Sequence, residues 1–257
     1  VGRPSETSSS NRASRMTFHV RMGTKRLIDI IASFLLILFL LPVFAAASVA
    51  IALGNGRPIF YRQTRVGHHG KPFVMVKFRT MTTNAHSSID LIREQNDRSG
   101  PLFKMTNDPR ITRVGRVLRK LSIDELPQLF NVLAGSMSLV GPRPALPEEV
   151  ESFPAELRAR ESVPQGLTGL WQIEGRMDAD FERYRTLDLR YVEEWSLRLD
   201  LKILVKTPFV VARQALHRTE VIPSQTPTHA LDRKPTSVVR DDAADFASTA
   251  SHLESAE

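Results

Sequence analysis

The sequence predicts a mainly helical domain of α/β or α+β class, carried on an apolar N-terminal membrane segment and bordered by interfacial amphipathic helices. Three observations predict it. From Ile30 to Gly56 there is no charged residue, a run longer than the roughly 20 residues that a spanning helix needs. Pro72–Phe78 (PFVMVKF) is a short β-rich run that reads as a strand. Farther on, Leu126, Leu129, Phe130 and Leu133 recur at three and four, the period of an amphipathic helix over Asp124–Leu133.

The elements follow in chain order. Residues 1–20 are polar and rich in Ser and Arg, a disordered lead-in by composition. Residues 21–56 hold the apolar run, with Pro42 near its centre. A signal peptide is one reading, since Ala47–Ala50 resembles a cleavage site, but signal cores are typically about 7–15 residues and this run is longer and starts late. A spanning helix and a re-entrant hairpin broken at Pro42 both remain. Arg21, Lys25 and Arg26 precede the run and Arg57, Arg62 and Arg65 follow it, so both flanks favour the cytoplasmic side. A Pro removes a helix hydrogen bond and offers a place to turn, whereas a bend in lipid exposes backbone groups. Residues 57–217 read as the body. Ser138–Pro144 (SLVGPRP) and Gly166–Gly169 are punctuated as loops. Tyr191, Trp195, Leu199 and Ile203 form a stripe over 188–211 that suits either a membrane interface or the core. Residues 218–257 turn polar and Pro/Ser/Thr/Asp-rich, a disordered tail.

Composition narrows the chemistry. The 257 residues carry a net charge of +7 and no Cys. Zero Cys excludes thiolate metal sites and Cys nucleophiles. The basic balance suits nucleic acid, anionic lipid or a phosphorylated small molecule without choosing among them. The sequence has no GxGxxG, no Walker A and no His pair at metal-ligand spacing. What remains is the adjacent pair Asp124–Glu125 after Arg110, Arg113, Arg116, Arg119 and Lys120. Guanidiniums grip phosphate oxygens bidentately. A carboxylate can ligate Mg²⁺ or attack phosphorus. The plainer reading of an Asp-Glu pair is a surface ion-pair network at a helix start, capped by Ser122 and favoured by the helix dipole.

Longer motifs decide between these readings. KRLIDI (25–30), KFRTM (77–81), DPRITRVGRVLRKLSIDELPQLFNVLAGSMSLVGPRP (108–144), GLTGLWQ (166–172) and YVEEWSLRLDLKILVKT (191–207) together resemble the bacterial sugar transferases, the monotopic phosphoglycosyl transferases that act on polyprenyl phosphates. The resemblance covers roughly Lys25 to Thr207. It implies a re-entrant membrane helix broken at Pro42, a catalytic domain facing the cytoplasm at the inner membrane, and a two-step reaction. Asp124 attacks the β-phosphate of a UDP-sugar and releases UMP; polyprenyl phosphate then takes the sugar phosphate from the aspartate. Glu125 serves Mg²⁺, and Arg119, Lys77 and Arg143 match phosphate-binding positions. Further substrate contacts are expected at Arg79, Gln172, Arg176 and Asp200. The GLTGLWQ variant looks like members that transfer galactose or glucose phosphate in exopolysaccharide or capsule assembly. The chain departs from the family pattern at Leu41–Pro42, often Ser-Pro, and at Pro164–Gln165–Gly166, usually basic-Pro-Gly. The competing function is a basic, membrane-anchored module that binds anionic lipid or nucleic acid without catalysis. For nucleic acid it has no motif, and with 7% aromatic residues it has few stacking platforms.

Overall fold

A computed structural model describes residues 6–83, 85, 101, 102, 105, 108–175 and 180–217, with side chains from residue 20 to 216. The chain divides into two compact units, Val1–Glu220 and Val221–Glu257. The tail expected over 218–257 lies outside the described residues, as does Arg176.

Helix α1 (Glu6–Asn55) takes in the whole apolar run, with Pro42 inside it. It also takes in most of the segment 1–20 that composition assigned to a disordered lead-in. Adding residues to an existing helix costs far less than nucleating one. One face of α1 is buried along its length: Lys25, Asp29, Ser33, Ile37, Phe44 and Ile51 follow the spacing of a single helix face. Ile37 packs into the main core, and Phe44, Ala47 and Ile51 pack with Phe78 and Leu118 in a second cluster. The other face presents Phe34, Leu35, Leu38, Phe39 (79% exposed) and Leu53 (84% exposed). That is the reverse of a soluble helix, whose exposed face is polar.

The apolar stretch of α1 is tied to the same body before and after. Ahead of it, Lys25 Nζ donates to Asp200 Oδ2 at 2.6 Å and to the Val140 carbonyl at 2.9 Å. Arg26 donates to the carbonyls of Val132 and Leu133, the last turn of α3 (Gln128–Ala134), where a cation suits the helix dipole. At its end, Arg79 donates to the carbonyls of Asn55, Gly56 and Arg57, and Asn55 Nδ2 donates to Thr112 Oγ1 at 2.8 Å.

The strand expected at 72–78 is β2 (Pro72–Phe78), antiparallel to β1 (Phe60–Val66) with Tyr61 opposite Lys77. Asn131 of α3 docks on the free edge of β2: its Oδ1 accepts from Val76 N at 3.0 Å and its Nδ2 donates to Val74 O at 2.8 Å. The two segments read as loops each contain a strand. β3 (Ser138–Val140) pairs in parallel with β4 (Gly166–Thr168). At three residues each they are too short to show a period. They approach through glycines: a Cβ on Gly166 would stand 2.0 Å from Gly141 N. Short helices α4 (Pro147–Glu151) and α5 (Leu170–Glu174), then α6 (Phe181–Glu193) and α7 (Leu197–His217), close the body.

The stripe over 188–211 faces inward. Tyr191 and Ile203 are buried, with Trp195 and Leu199 packed against the same core. Asp200 is held by Lys25, by the Tyr191 hydroxyl at 2.7 Å and by Trp195 Nε1 at 3.3 Å. It ties α1, α6 and α7 together from within. Burying this ion pair is tolerable because its carboxylate and ammonium also find hydrogen bonds.

Candidate active site

The site forms where β1, β2, α2 (Arg113–Lys120), a one-turn 3-10 helix over Ile123–Glu125, and the loop after β3 converge. Thr112 caps α2, its side chain accepting from Gly115 N at 2.9 Å. Gly115 lets α2 sit against Thr80: a Cβ there would be 2.0 Å from the Thr80 carbonyl oxygen. That close approach puts Arg119 Nε 2.8 Å from Thr80 Oγ1, to which it donates. Arg119 thus points inward, while Arg113 and Arg116 of the same helix are exposed.

The chain then breaks at Ser122, which adopts a left-handed conformation (φ 55°) and makes no side-chain cap. The single helix expected over Asp124–Leu133 is therefore two pieces, the 3-10 turn and α3, with Pro127 at the start of the second. Asp124 is buried in the turn, next to Glu125. Glu125 Oε1 accepts from Arg143 Nη1 at 3.0 Å. Arg143 itself is fixed from behind, because its carbonyl accepts from Arg160 Nη2. Arg160 is wholly buried, 2.8 Å from Asp188 Oδ2 and over the rings of Phe153 and Tyr184 at 5.4 and 5.3 Å.

Lys77 projects from β2 over the Tyr61 ring, 5.1 Å from its centroid. Burial, then the nearby Arg65, Arg119 and Arg143, push its ammonium pKa down to about 8, with Asp124 opposing. Arg65 falls to about 10 through burial and the repulsion of Arg143. Burial also lowers Arg119, against the pull of Asp124 and Asp108. Glu125 does the opposite for Arg143, holding it charged. Lys77, Arg119 and Arg143 thus crowd round the Asp124–Glu125 pair, and Arg65, 3.6 Å from Glu149 Oε2, adds its charge at Lys77 and Arg143. Such crowding is unfavourable in an isolated protein and is relieved by a polyanion.

Of the expected residues, the structure brings together Asp124, Glu125, Arg119, Lys77 and Arg143. Arg79 is committed to the end of α1. Gln172 is buried on α5, both amide atoms lacking a hydrogen-bond partner among the described residues. Gln165, at the departure from the family pattern, is buried and donates to the carbonyls of Arg160 and Val163. Sequence reasoning missed Arg65, which donates to Gln63 Oε1 at 2.8 Å and Pro144 O at 3.2 Å. Its period-two spacing from Tyr61 along β1 was the available signal. It also missed Asp108, which holds Arg110 through both carboxylate oxygens at 2.9 and 2.7 Å.

No group of three or more His, Asp or Glu suited to a metal occurs among the described residues. The adjacent carboxylates do fit Mg²⁺, which commonly binds through one or two carboxylates and completes its shell with substrate phosphate and water.

The Lys77 shift gives a first prediction. Protonated Lys77 attracts a diphosphate and neutral Lys77 does not. The kcat/KM for the donor should therefore fall as pH rises through about 8, since this ratio reports groups of the free enzyme. Lys77→Arg should move that limb out of range. A wild-type profile flat from about pH 7 to 9 would remove Lys77 from donor binding.

The chain is similar to several known proteins. ExoY of Sinorhizobium fredii, an exopolysaccharide production protein, is 40% identical over 192 residues, covering 72% of this chain and 83% of ExoY. The undecaprenyl-phosphate galactose phosphotransferase of Salmonella typhimurium is 41% identical over 197 residues, 74% of this chain but 40% of that longer protein. The undecaprenyl-phosphate glucose phosphotransferase of Komagataeibacter xylinus is 41% identical over 197 residues, 72% of this chain and 35% of the relative. The profile described as bacterial sugar transferase matches residues 20–214, a span that contains α1 from Val20 onward and every site residue above, and the chain belongs to that family.

Proposed function

We propose that the protein transfers a hexose 1-phosphate from a UDP-sugar to a polyprenyl phosphate such as undecaprenyl phosphate, releasing UMP, at the start of exopolysaccharide, capsule or O-antigen assembly. The observation that carries this reading is the cluster of Lys77, Arg119 and Arg143 around the buried Asp124 and its half-buried neighbour Glu125, with Arg65 adding its charge at Lys77 and Arg143. It suits a diphosphate with a nucleophile beneath it. The names of the relatives favour galactose or glucose as the sugar.

Asp124 attacks the β-phosphorus, forming an oxygen–phosphorus bond as the bond to UMP breaks. An oxygen of polyprenyl phosphate then attacks the same phosphorus and frees the carboxylate. Arg119 and Arg143 hold the phosphoryl oxygens, and Lys77 and Arg65 hold the nucleotide side. Glu125, with Asp124, would hold Mg²⁺, which supplies neutralisation of charge on the diphosphate. Supplied with UDP-galactose or UDP-glucose, the enzyme should release UMP continuously only when polyprenyl phosphate is present. Excess EDTA or Glu125→Gln should stop release while the fold stays intact. Continuous release without the lipid would make the protein a hydrolase, and full activity in EDTA would dismiss the metal.

The membrane reading is monotopic. The long apolar α1 is one helix through Pro42 in the structure; on this reading it bends at Pro42, where a helix hydrogen bond is lost, so that it enters and leaves the bilayer on the cytoplasmic side with the body. Support comes from Lys25–Arg26 and Gly54–Asn55, before and after the apolar run, which both meet the one body. In this Cys-free chain, single cysteines at Val20 and His69 should both resist an impermeant thiol reagent applied outside intact cells. Labelling at one site alone would indicate a spanning helix.

A further inference from the structure

Exposed charge is segregated on this molecule. Around α5, α6 and the 3-10 segment Ala155–Ser162, cations are matched by acids. Arg158 pairs with Glu161 at 3.2 Å, Arg185 with Glu156 and Glu182 at 2.6 Å each, and Arg190 with Glu194 at 3.1 Å. Such pairing is how a solvated face is commonly built.

Helix α7 is built otherwise. Its exposed cations Arg198, Lys202, Lys206 and Arg213 share the helix with a single acid, Asp200, which is buried against Lys25. None of its exposed residues is acidic. At 3.6 residues per turn, Leu201, Val205, Ala212 and Leu216 fall in one sector, with Phe209 at its border. Lys202, Lys206 and Arg213 occupy the adjoining sector. The apolar sector is open: Leu201 is 62% exposed, Val205 57%, and Phe209 and Leu216 73% each. Helix α2 repeats the arrangement on a smaller scale, with exposed Arg113 and Arg116, no acid, and Val117 55% exposed.

Water satisfies those cations but not the apolar sector. A neutral lipid interface takes the apolar sector and gains little from the cations. Nucleic acid would use the cations and leave the apolar sector wet. An anionic lipid interface takes both.

We propose that the outer faces of α7 and α2 dock on anionic phospholipid headgroups, so that the charge of the membrane surface governs how the body lies on it. This rests on the membrane reading above. The test uses the full chain with Ala212→Cys as its sole cysteine, labelled with an environment-sensitive fluorophore and reconstituted into nanodiscs of phosphatidylcholine with or without phosphatidylglycerol. The probe should be blue-shifted and shielded from an aqueous quencher in the anionic discs, and this engagement should weaken with salt. Changing Lys202, Lys206 and Arg213 to Gln should reduce the engaged-to-free ratio roughly fivefold per cation. The charge-matched control, with Arg158, Arg185 and Arg190 changed to Gln, should keep it. A probe indifferent to phosphatidylglycerol, or a control that loses as much, overturns the inference alone. Shielding that grows with protein concentration in neutral discs would instead make the face a contact between copies. Failure of the chain to co-elute with discs would overturn the membrane reading and this inference together.

Discussion

Asp124→Asn should abolish turnover and, with it, the covalent adduct expected of the wild-type enzyme with donor alone. Asp124 is buried in a tight turn set by the left-handed Ser122, with Arg119 and Lys77 acting on it electrostatically. A carboxylate attacks phosphorus only when it is held in line and charge is neutralised nearby. The amide keeps the shape and loses the nucleophile. Wild-type enzyme mixed with UDP-sugar and no lipid should release UMP once. It should gain the mass of a hexose phosphate on the peptide holding Asp124, and the full reaction should show ping-pong kinetics. The Asn variant should show neither adduct nor turnover, a loss on the order of 10⁴-fold or more, as for nucleophiles removed elsewhere. Turnover by the Asn variant, or UMP appearing only when both substrates are bound, would replace the covalent route with direct attack by the lipid phosphate.

The second large effect falls on stability. Arg160 and Asp188 are each about 98% buried and face one another at 2.8 Å. Asp188→Ala leaves a guanidinium in the core with its main charge partner gone, which costs about 3–5 kcal/mol in comparable buried pairs. For a domain of this size the melting temperature should drop by on the order of 10 °C, read by near-UV circular dichroism in detergent. Arg185→Ala, on an exposed face, should leave it unmoved, because surface pairs contribute little. An equal effect from both substitutions would deny the Arg160–Asp188 pair its structural role. Because Arg160 also holds the Arg143 carbonyl, Asp188→Ala should loosen the contact of Arg143 with Glu125 as well.

How much was legible in the sequence depended on the length over which a pattern ran. β2 is a β-branched and aromatic run of seven residues, and its bounds coincide with those expected. The apolar run was long enough to be unmistakable, but the helix around it extends well upstream because helical ends propagate. β3 and β4 were hidden, since three residues flanked by Gly and Pro carry no period and their pairing depends on backbone contact at Gly141 and Gly166. The stripe of Tyr191, Trp195, Leu199 and Ile203 was legible as a stripe, but not which way it faced. A buried Asp200 decided that, and its partner Lys25 is remote in sequence. Within the site, Asp124, Glu125 and Arg119 stood out because they share one motif. Arg65 lies on β1 outside those motifs, opposite Phe73, and becomes visible only through the effect of its charge on Lys77.

The Lys25–Asp200 tie also sets a timetable. Lys25 leaves the ribosome 175 residues before its partner, which at ordinary rates of synthesis is roughly 10–35 seconds. Throughout that interval α1 has its apolar face ready for lipid while the ammonium destined for the core lacks its hydrogen-bonding carboxylate Asp200 and has Asp29, one turn along its own helix, as its acidic neighbour. The nascent enzyme is therefore threaded early and bolted late. The newborn chain cannot complete this connection until α7 emerges, so ribosome-bound chains ending before residue 200 should leave Lys25 open to amine-modifying reagents from which the finished protein shields it.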